Sequence, residues 1–234
     1  KAAGKTLLEY NLDNLMGIAD EAVLVVGYRK GMIKKAIGSN YKGIKIRYVE
    51  QKKQLGTAHA VSLVEHLIKN EFLLMMGDDI YSKKDMMKCT RHKYSILTAR
   101  VKNPENFGVV TGENIMQDFV EKPKKFISNL ASTALYKLDK KIFTCIKKIK
   151  KSKRNELEMP DAIKMLSKNE EVHIVKSTKW LPVAKPMDLL RADIIIRKNK
   201  NLICINSKVY GNVKNSSIGE GSIIMGTVKN SIIL

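Results

Sequence analysis

The sequence has few cysteines and few aromatic residues, and it contains no long apolar run. Aromatic residues make up 6% of the 234 positions, and the three cysteines, Cys89, Cys145 and Cys204, lie far apart. None of them has the Cys-x-x-Cys or Cys/His spacing of a zinc site. No apolar stretch reaches the length that crosses a membrane, and the chain does not open with a signal peptide. We therefore expect a soluble protein in a reducing, cytoplasmic setting, with no membrane as partner.

Acidic residues are scarce relative to basic ones. The 43 lysines and arginines outnumber the 23 aspartates and glutamates, which gives a net charge of +20. A charge excess of this size favours anionic partners such as nucleotides, phosphorylated substrates or nucleic acid. The lysines are spread along the chain, however, and aromatic residues are not interleaved with them as on a surface that stacks single-stranded bases. A solvated, lysine-rich surface is the simpler interpretation, and nucleic acid is not expected as the main partner.

Hydrophobic residues make up 44% of the chain, which is enough for a packed core. Thr6 and Glu9 form a capping box that predicts the start of a helix, and Thr57 is expected to cap a second helix that reaches Ile68. Further helices are expected at 140–148, 160–167 and 187–197, and strands at 22–26, 44–48, 72–76, 95–101, 107–110, 115–120 and 130–138. The alternation of strands and helices predicts an α/β fold with a doubly wound, Rossmann-like mixed sheet.

The sequence pattern changes near residue 200. Segments that begin at Val209, Asn215, Gly221 and Thr227 resemble one another, with aliphatic residues separated by glycine and other small residues. A spacing of about six residues is typical of the coils of a parallel β-helix. An ordinary pair of β-hairpins is the alternative interpretation. The repeat is too short to fold alone, so we expect it to cap the main domain.

Two adjacent aspartates, Asp78 and Asp79, follow the apolar segment 72–76, which is expected to lie at the centre of a parallel sheet. In open α/β sheets, ligands bind beyond the carboxyl ends of the strands. Carboxylates there can hold Mg²⁺, which prefers oxygen ligands and bridges to phosphate oxygens. A turn in which an aspartate caps the next segment is an equal alternative.

A polar loop, residues 51–57, leads into the second helix. The amide of Gln51 can donate and accept hydrogen bonds, so it can recognise the edge of a nucleobase. Gly56 has no Cβ and lets a flat base approach the backbone, and the helix start offers N–H groups to anions. An ordinary polar loop that caps a helix is the alternative, and His59 is expected to be structural.

Further along the chain, Glu121 and Lys122 follow a strand. Taken alone, this pattern indicates only the end of a strand.

In their order and spacing these segments resemble the sugar-1-phosphate nucleotidylyltransferases, which include glucose-1-phosphate thymidylyl- and uridylyltransferases and N-acetylglucosamine-1-phosphate uridylyltransferases. The matching segments are Leu7 to Tyr10, Gln51 to Ala60, Gly77 and Asp78, Asn103 to Val110, Glu121 to Pro123, Ser128 to Ala131, Asn155 to Asp161, and Trp180 with Leu181 before Asp188. The resemblance covers nearly the whole chain. It implies a nucleotidyltransferase domain at 1–200, followed at 201–234 by a short, incomplete segment of left-handed parallel β-helix.

The resemblance implies a role for each matching residue. The nucleotide site would comprise Gln51, Gln54, Leu55, Gly56 and Thr57, with Gln51 and the Gly56 backbone against a uracil or thymine base. Asp78 would ligate Mg²⁺ and Lys122 would hold the sugar phosphate, and both would be catalytic. The sugar-phosphate site would comprise Gly108, Glu121, Lys122, Asn129, Ser132 and Thr133.

The implied reaction joins UTP or dTTP to glucose 1-phosphate or N-acetylglucosamine 1-phosphate and releases pyrophosphate. A sugar-phosphate oxygen attacks the α-phosphorus in line, and because this nucleophile is already an anion, no general base is needed. Catalysis would then depend on positioning and on neutralisation of charge by Mg²⁺ and cationic side chains. The resemblance also implies a homo-oligomer, a dimer, trimer or tetramer, that involves the β-helix.

Two departures from the family pattern leave alternatives open. The glycine-rich loop that cradles the triphosphate in the family has no match, and we expect it to be absent from these 234 residues. Pro182 stands where the family commonly has a second Mg²⁺ ligand, so that either another group, such as Asp79 or water, completes the coordination, or activity is weakened or lost. The alternatives are a non-catalytic, nucleotidyltransferase-like regulatory or assembly subunit and a metal-dependent glycosyltransferase that uses nucleotide sugars.

Overall fold

The computed structural model describes residues 1–233 of the chain. The helices are α1 (Leu7–Leu15), α2 (Lys30–Ile37), α3 (Thr57–Ser62), α4 (Lys83–Cys89), α5 (Lys141–Ile146), α6 (Met159–Leu166) and α7 (Pro186–Arg197). The strands are β1 (Glu21–Val26), β2 (Asn40–Tyr41), β3 (Ile44–Glu50), β4 (Phe72–Leu74), β5 (Ile80–Tyr81), β6 (Ser95–Arg100), β7 (Gly108–Gly112), β8 (Met116–Glu121), β9 (Leu130–Leu138), β10 (His173–Lys176), β11 (Trp180–Leu181), β12 (Leu202–Ile203), β13 (Lys208–Val209), β14 (Asn212–Lys214), β15 (Ser217–Ile218), β16 (Ile223–Ile224), β17 (Thr227–Lys229) and β18 (Ile232–Ile233). Across these residues, no helix combines the length and the apolar character needed to cross a membrane.

The chain divides into two compact units. The sheet unit comprises Leu15–Met76 and Ser82–Lys179. The terminal unit comprises Lys1–Asn14, Gly77–Tyr81 and the residues from Trp180 onward. The domain boundary expected at residue 200 stays a prediction.

The sheet unit contains a six-stranded mixed sheet, as the sequence pattern predicts. Its strand order is β10-β6-β9-β7-β8, and β4 also pairs with β9. Strands β10 and β6 are parallel, and the other pairs are antiparallel. Strand β9 is nine residues long, which is enough for both β7 and β4 to pair along one of its edges, while β6 pairs along the other. The α/β fold with a mixed, Rossmann-like sheet is confirmed.

Strand β4 differs from its expected position at the centre of a parallel sheet. It is only three residues long, it is half-buried, and it runs antiparallel to the end of β9, where Phe72 pairs with Leu138. A continuous apolar run shows that both faces of a strand are covered, but it carries no information on the direction of the neighbouring strand. The expectation was therefore wrong in position and direction, although the strand exists.

A second sheet of the same unit has the order β1-β3-β2. Six residues of β1 pair in parallel with β3, and β2 joins β3 as an antiparallel hairpin through Lys42 and Gly43, both at positive φ. Helix α2, which follows β1, was not predicted. Three of its eight residues are lysines and only Ile37 is buried, so it lacks the apolar stripe on which the prediction of a helix depends.

The hydrophobic core of the sheet unit lies between the six-stranded sheet and the pair α5 and α6, whose positions the sequence predicted within a few residues. Its largest fully buried members are Tyr94, Ile96, Phe119, Leu138, Ile142, Phe143 and Ile163. Helix α3 packs Ala58 and Val61 into the same core but ends at Ser62, well before the expected Ile68. At the edge of the unit, His92 stacks on His173 with ring centroids 4.2 Å apart, and burial, with the charge of His173, lowers the pKa of His92.

The terminal unit begins with the predicted capping box. The backbone N–H of Thr6 donates to Glu9 Oε2 at 2.7 Å, and the N–H of Glu9 donates to Thr6 Oγ1 at 3.2 Å, so the box orders the first turn of α1.

Helix α7 carries a buried ion pair of 2.6 Å between Asp193 and Arg197, and Ser217 donates to the same aspartate. This pair therefore joins α7 to the C-terminal strands.

The C-terminal strands pair in parallel, which excludes the hairpin alternative for the described residues. They form three small sheets, β12-β15-β18, β13-β16 and β14-β17. Leu202 pairs with Ser217, and Ser217 with Ile232, so paired strands are offset by fifteen residues along the chain. Three regular six-residue repeats would need about eighteen. The strands have only two or three residues each, and Gly211 lies directly against Gly226, where a Cβ would lie 2.0 Å from the carbonyl oxygen.

Candidate functional site

The loop predicted to bind the nucleobase lies at the end of β3. The Gln51 side chain turns back onto its own loop, where Nε2 donates to the carbonyl oxygen of Gly56 at 3.2 Å. The same nitrogen lies 2.8 Å from Nδ1 of His59, in the first turn of α3. Gln54 is exposed in the same loop. The structure therefore brings together Gln51, Gly56 and one residue, His59, that sequence reasoning assigned only a structural role.

Gly56 allows this loop to pack against a distant backbone segment. Its φ is +103°, and a Cβ there would lie 2.4 Å from the carbonyl oxygen of Leu157. The Leu157 N–H donates to Leu55 at 2.8 Å, and the Ala58 N–H donates to Leu157 at 2.9 Å. Ala58 at the helix start is thus already bonded, so its N–H is not the anion donor that the sequence suggested.

Thr57 is the first residue of α3 rather than its cap, because Gly56 occupies the capping position and no side-chain capping bond forms there. The Thr57 hydroxyl instead accepts the backbone N–H of Met159 at 3.1 Å. The predicted capping role was wrong. We call residues 51–57 the base loop. The Thr57 hydroxyl is a further contact between this loop and residues 157–159.

The predicted sugar site centres on Glu121. It pairs with Gly108 across β7 and β8, and a Cβ on Gly108 would lie 2.8 Å from Glu121 Oε2 and 2.7 Å from the ring of Phe119. Gly108 therefore leaves the space in which the carboxylate lies over the backbone. Burial raises the pKa of Glu121, and the nearby Arg154 guanidinium opposes this rise. Lys122 is exposed and adopts a φ of +44°.

The remaining predicted sugar residues have different surroundings. Asn129 accepts a hydrogen bond of 2.7 Å from Arg100 through Oδ1. The Ser132 hydroxyl lies 3.0 Å from that of Tyr136, whose pKa is raised by burial, with a further contribution from the charge of Glu121. The Thr133 side chain is 1% exposed and donates to the backbone of β6 at 3.0 Å, so its hydroxyl is used within the sheet.

Residues 154–159 connect the two predicted subsites. Arg154 lies 3.4 Å from Glu121 and 2.9 Å from Glu158, while Leu157 and Met159 bond the base loop as described above. We call residues 154–159 the support segment. Sequence reasoning matched this segment to the family but gave Arg154 no role, because one arginine among many lysines carries no distinct signal.

The two aspartates belong to the terminal unit, where they differ in environment. Asp78 is exposed. The carboxylate of Asp79 accepts the indole N–H of Trp180 at 2.8 Å and the backbone N–H of Val183 at 3.2 Å. Burial raises the pKa of Asp79 to about 6 against the lowering effect of these hydrogen bonds. Both oxygens of Asp79 thus hold the segment around Pro182, which makes Asp79 a poor replacement for the second metal ligand.

The donor set at Asp78 fits Mg²⁺ only in combination with a substrate. Within residues 1–233, no group of three or more His, Cys, Asp or Glu side chains could hold a metal. Mg²⁺ keeps several waters and is commonly bound through one or two carboxylates plus phosphate oxygens, and an exposed single carboxylate meets that requirement.

Comparison with known proteins places the chain in a family. The family described as Nucleotidyl transferase matches residues 1–199. The bifunctional protein GlmU of Methanocaldococcus jannaschii is 36% identical over 227 residues, which cover 95% of this chain and 53% of GlmU. The UTP–glucose-1-phosphate uridylyltransferase AglF of Haloferax volcanii is 30% identical over 197 residues, which cover 79% of this chain and 81% of AglF.

A solved structure of UDP-glucose pyrophosphorylase complexed with UDP-glucose superposes with a TM-score of 0.77 over 84% of this chain and 88% of that chain, at 22% identity. The chain belongs to the nucleotidyl transferase family, and the resemblance to sugar-1-phosphate nucleotidylyltransferases is confirmed. It spans about half the length of the GlmU relatives that it matches.

Proposed function

We propose that this chain carries a sugar-1-phosphate nucleotidylyltransferase site that joins UTP or dTTP to a hexose 1-phosphate. Glucose 1-phosphate and N-acetylglucosamine 1-phosphate are the proposed acceptors. In this reaction an oxygen of the sugar phosphate bonds to the α-phosphorus, the bond from that phosphorus to the bridging oxygen breaks, and pyrophosphate leaves. Among these substrates, the names of AglF and of the superposed pyrophosphorylase support UTP and glucose 1-phosphate.

The observation that carries the proposal is the support segment. It bonds the Gln51–Thr57 loop through Leu157 and Met159, and it contacts Glu121 through Arg154. A nucleobase site and a sugar site held by one six-residue segment keep two substrates in a fixed relation. Fixed positioning is the main catalytic requirement of a reaction whose nucleophile is already charged.

The predicted site residues of the sheet unit, except Thr133, have proposed parts in binding. Gln51 and the backbone of Gly56 contact the uracil or thymine base, with Gln54, Leu55 and Thr57 shaping the loop. Glu121 and Asn129 bind sugar hydroxyls, Gly108 admits the Glu121 carboxylate over its backbone, and Ser132 lines the sugar site. Lys122 offers an exposed ammonium to the sugar phosphate. We give Thr133 no part, because its hydroxyl is bonded within the sheet.

We propose Asp78 as the Mg²⁺ ligand. Bound Mg²⁺ would supply positive charge that offsets the charge developing on the triphosphate. Asp78→Asn is expected to abolish turnover, since the neutral amide binds a hard cation weakly, while the free energy of unfolding stays unchanged. Asp20→Asn, at another exposed aspartate, is the matched control and should keep full turnover.

The test is pyrophosphate release over a matrix of UTP, dTTP, CTP and ATP with the two sugar phosphates in the presence of Mg²⁺. Turnover confined to UTP or dTTP supports the proposal. Glu121→Gln should raise the KM for the sugar phosphate, whereas Glu113→Gln, at an exposed position, should not. In a separate assay supplied with a nucleotide sugar, release of nucleoside diphosphate would instead identify a glycosyltransferase.

A second candidate is a non-catalytic, nucleotide-sugar-binding subunit. Pro182 favours it, because proline offers no side-chain ligand at a position where the family commonly has an aspartate, and Asp79 is engaged elsewhere. This candidate predicts that calorimetry detects binding of UTP or a UDP-sugar while no pyrophosphate forms. Binding with turnover rejects it.

We further propose that the C-terminal segment forms a short left-handed parallel β-helix through which copies of the chain associate. Parallel pairing at a constant offset of fifteen residues supports the helix. Ile205, Tyr210, Ile223 and Met225 are 63–100% exposed, and such a group of apolar side chains favours burial against a second copy. Sedimentation should give a dimer, trimer or tetramer, and Ile205→Lys with Met225→Lys should give monomers. A wild-type monomer would contradict the proposal.

A further inference from the structure

The Gln51 carboxamide is held in one orientation by two acceptors. The Gly56 carbonyl can only accept, so the Gln51 atom that lies 3.2 Å from its oxygen must be the amide nitrogen. This nitrogen carries two hydrogens, and the second points to Nδ1 of His59 at 2.8 Å. His59 Nδ1 must therefore be the unprotonated ring nitrogen, and it acts as an acceptor.

We propose that His59 is a positioning residue that selects uracil or thymine over cytosine by fixing which end of the Gln51 amide faces the base. With both amide hydrogens directed at the protein, Gln51 presents only Oε1, and no donor within residues 1–233 occupies that oxygen. This inference rests on the proposed function, because it needs the nucleobase to lie against Gln51.

The selection follows from hydrogen-bonding chemistry. Uracil and thymine carry an N–H donor at N3, which Gln51 Oε1 can accept. Cytosine, held in the same register by its ribose and phosphates, has a lone pair at N3 that faces the lone pairs of Oε1. The Gly56 N–H, which no acceptor within the described residues takes, offers a donor for a base carbonyl beside N3. An acceptor and a donor side by side thus match the uracil edge.

Helix α3 explains how His59 reaches Gln51. Residues three apart on a helix lie on one face, and His59 follows the capping Gly56 by three positions. The Gly56–Leu157 contacts fix the start of this helix, and the imidazole is half-buried. The helix thus places a rigid acceptor beside an amide that would otherwise rotate about its terminal torsion.

Calorimetric binding of UTP and CTP in Mg²⁺ buffer tests the proposal. His59→Leu keeps bulk and helix propensity but removes the acceptor, so the amide can turn its nitrogen to the base. We expect the UTP-to-CTP affinity ratio to fall about tenfold, the effect of losing one orienting hydrogen bond. His59→Asn, whose Oδ1 takes the place of Nδ1, should keep the ratio. Circular dichroism and urea unfolding check that both variants fold.

A double variant separates positioning from a general structural effect. In a Gln51→Ala background, His59→Leu should leave the UTP-to-CTP ratio unchanged, because the amide it orients is gone. A wild-type preference for UTP that persists in His59→Leu would overturn the proposal while the base site stands. A wild-type protein that binds neither nucleotide would overturn the base site itself, and this inference with it.

Discussion

Gly56→Ala tests the close approach between the base loop and the support segment. At this position φ is +103° and ψ is 172°, a region that is essentially confined to glycine. The added Cβ would lie 2.4 Å from the oxygen and 2.7 Å from the nitrogen of Leu157. These are backbone atoms, so they cannot rotate away as a side chain would.

The destabilisation has two parts. Holding a non-glycine residue in this region costs about 1–3 kcal/mol. Relief of the overlap separates the loop from Leu157 and endangers the 2.8 Å and 2.9 Å backbone hydrogen bonds, each contributing about 1 kcal/mol net. The expected loss is therefore about 3–5 kcal/mol. Because a domain is stable by about 5–15 kcal/mol, the variant should fold but be markedly weakened.

Urea unfolding measures this loss as a fall in the midpoint of about 1–2 M, because the slope for a chain of this size lies near the upper end of the usual range, at about 3 kcal/mol per molar urea. Gly31→Ala is the matched control. Gly31 lies in α2, its added Cβ would meet nothing within 4 Å, and the change should stabilise the helix by about 0.5–1 kcal/mol. Equal midpoints for the two variants would refute the contact between Gly56 and Leu157.

Three further predictions concern buried polar groups. Asp79→Asn leaves one acceptor oxygen for the N–H groups of Trp180 and Val183, so the free energy of unfolding should fall by about 1–3 kcal/mol. The fluorescence emission of Trp180, the only tryptophan, should shift to longer wavelength. Unchanged emission would contradict the contact. Asp193→Ala leaves the buried Arg197 guanidinium without its counter-ion, although Lys200 and Asn215 still accept hydrogen bonds from it. Urea unfolding should show a loss of about 3 kcal/mol in the free energy of unfolding, against less than about 1 kcal/mol for an exposed pair. The lowered pKa of His92 means that the unfolded chain binds its proton more readily, so stability should decline as the pH falls below the ordinary histidine value, and urea midpoints at pH 7 and pH 5 should differ less in His92→Asn.

Elements with a strong local pattern could be predicted from the sequence. The bounds of β9 match the prediction at both ends, and the Thr6–Glu9 box begins α1 as expected. Helix α2 could not be predicted because it has three lysines and no apolar stripe. The direction of β4 depends on a partner strand more than sixty residues away. Local patterns fix the type of an element, but pairing depends on the whole topology.

In the candidate site, too, residues in recognisable segments could be predicted from the sequence, whereas residues that act through contacts could not. Gln51, Gly56 and Glu121 were identified because they match family segments. His59 and Arg154 were not, because their significance lies in contacts. His59 contacts Gln51, which is eight positions away along the chain, and Arg154 contacts Glu121, which is thirty-three positions away. Local composition does not indicate that Leu157 lies next to Gly56. It also does not indicate that Trp180 donates a hydrogen bond to Asp79.

Backbone conformation links these residues to the proposed function. Among non-glycine residues with positive φ, Lys122 is itself a proposed ligand, Ala134 lies two residues from Ser132, and Asn155 begins the motif of the support segment. Such conformations cost about 1–3 kcal/mol each and persist only where surrounding contacts enforce them. The Ser132 hydroxyl, for example, accepts the Ala134 N–H at 3.1 Å. At Lys122 and Ala134 the fold therefore maintains the position of a proposed substrate group at the expense of stability, which is what catalysis by positioning requires.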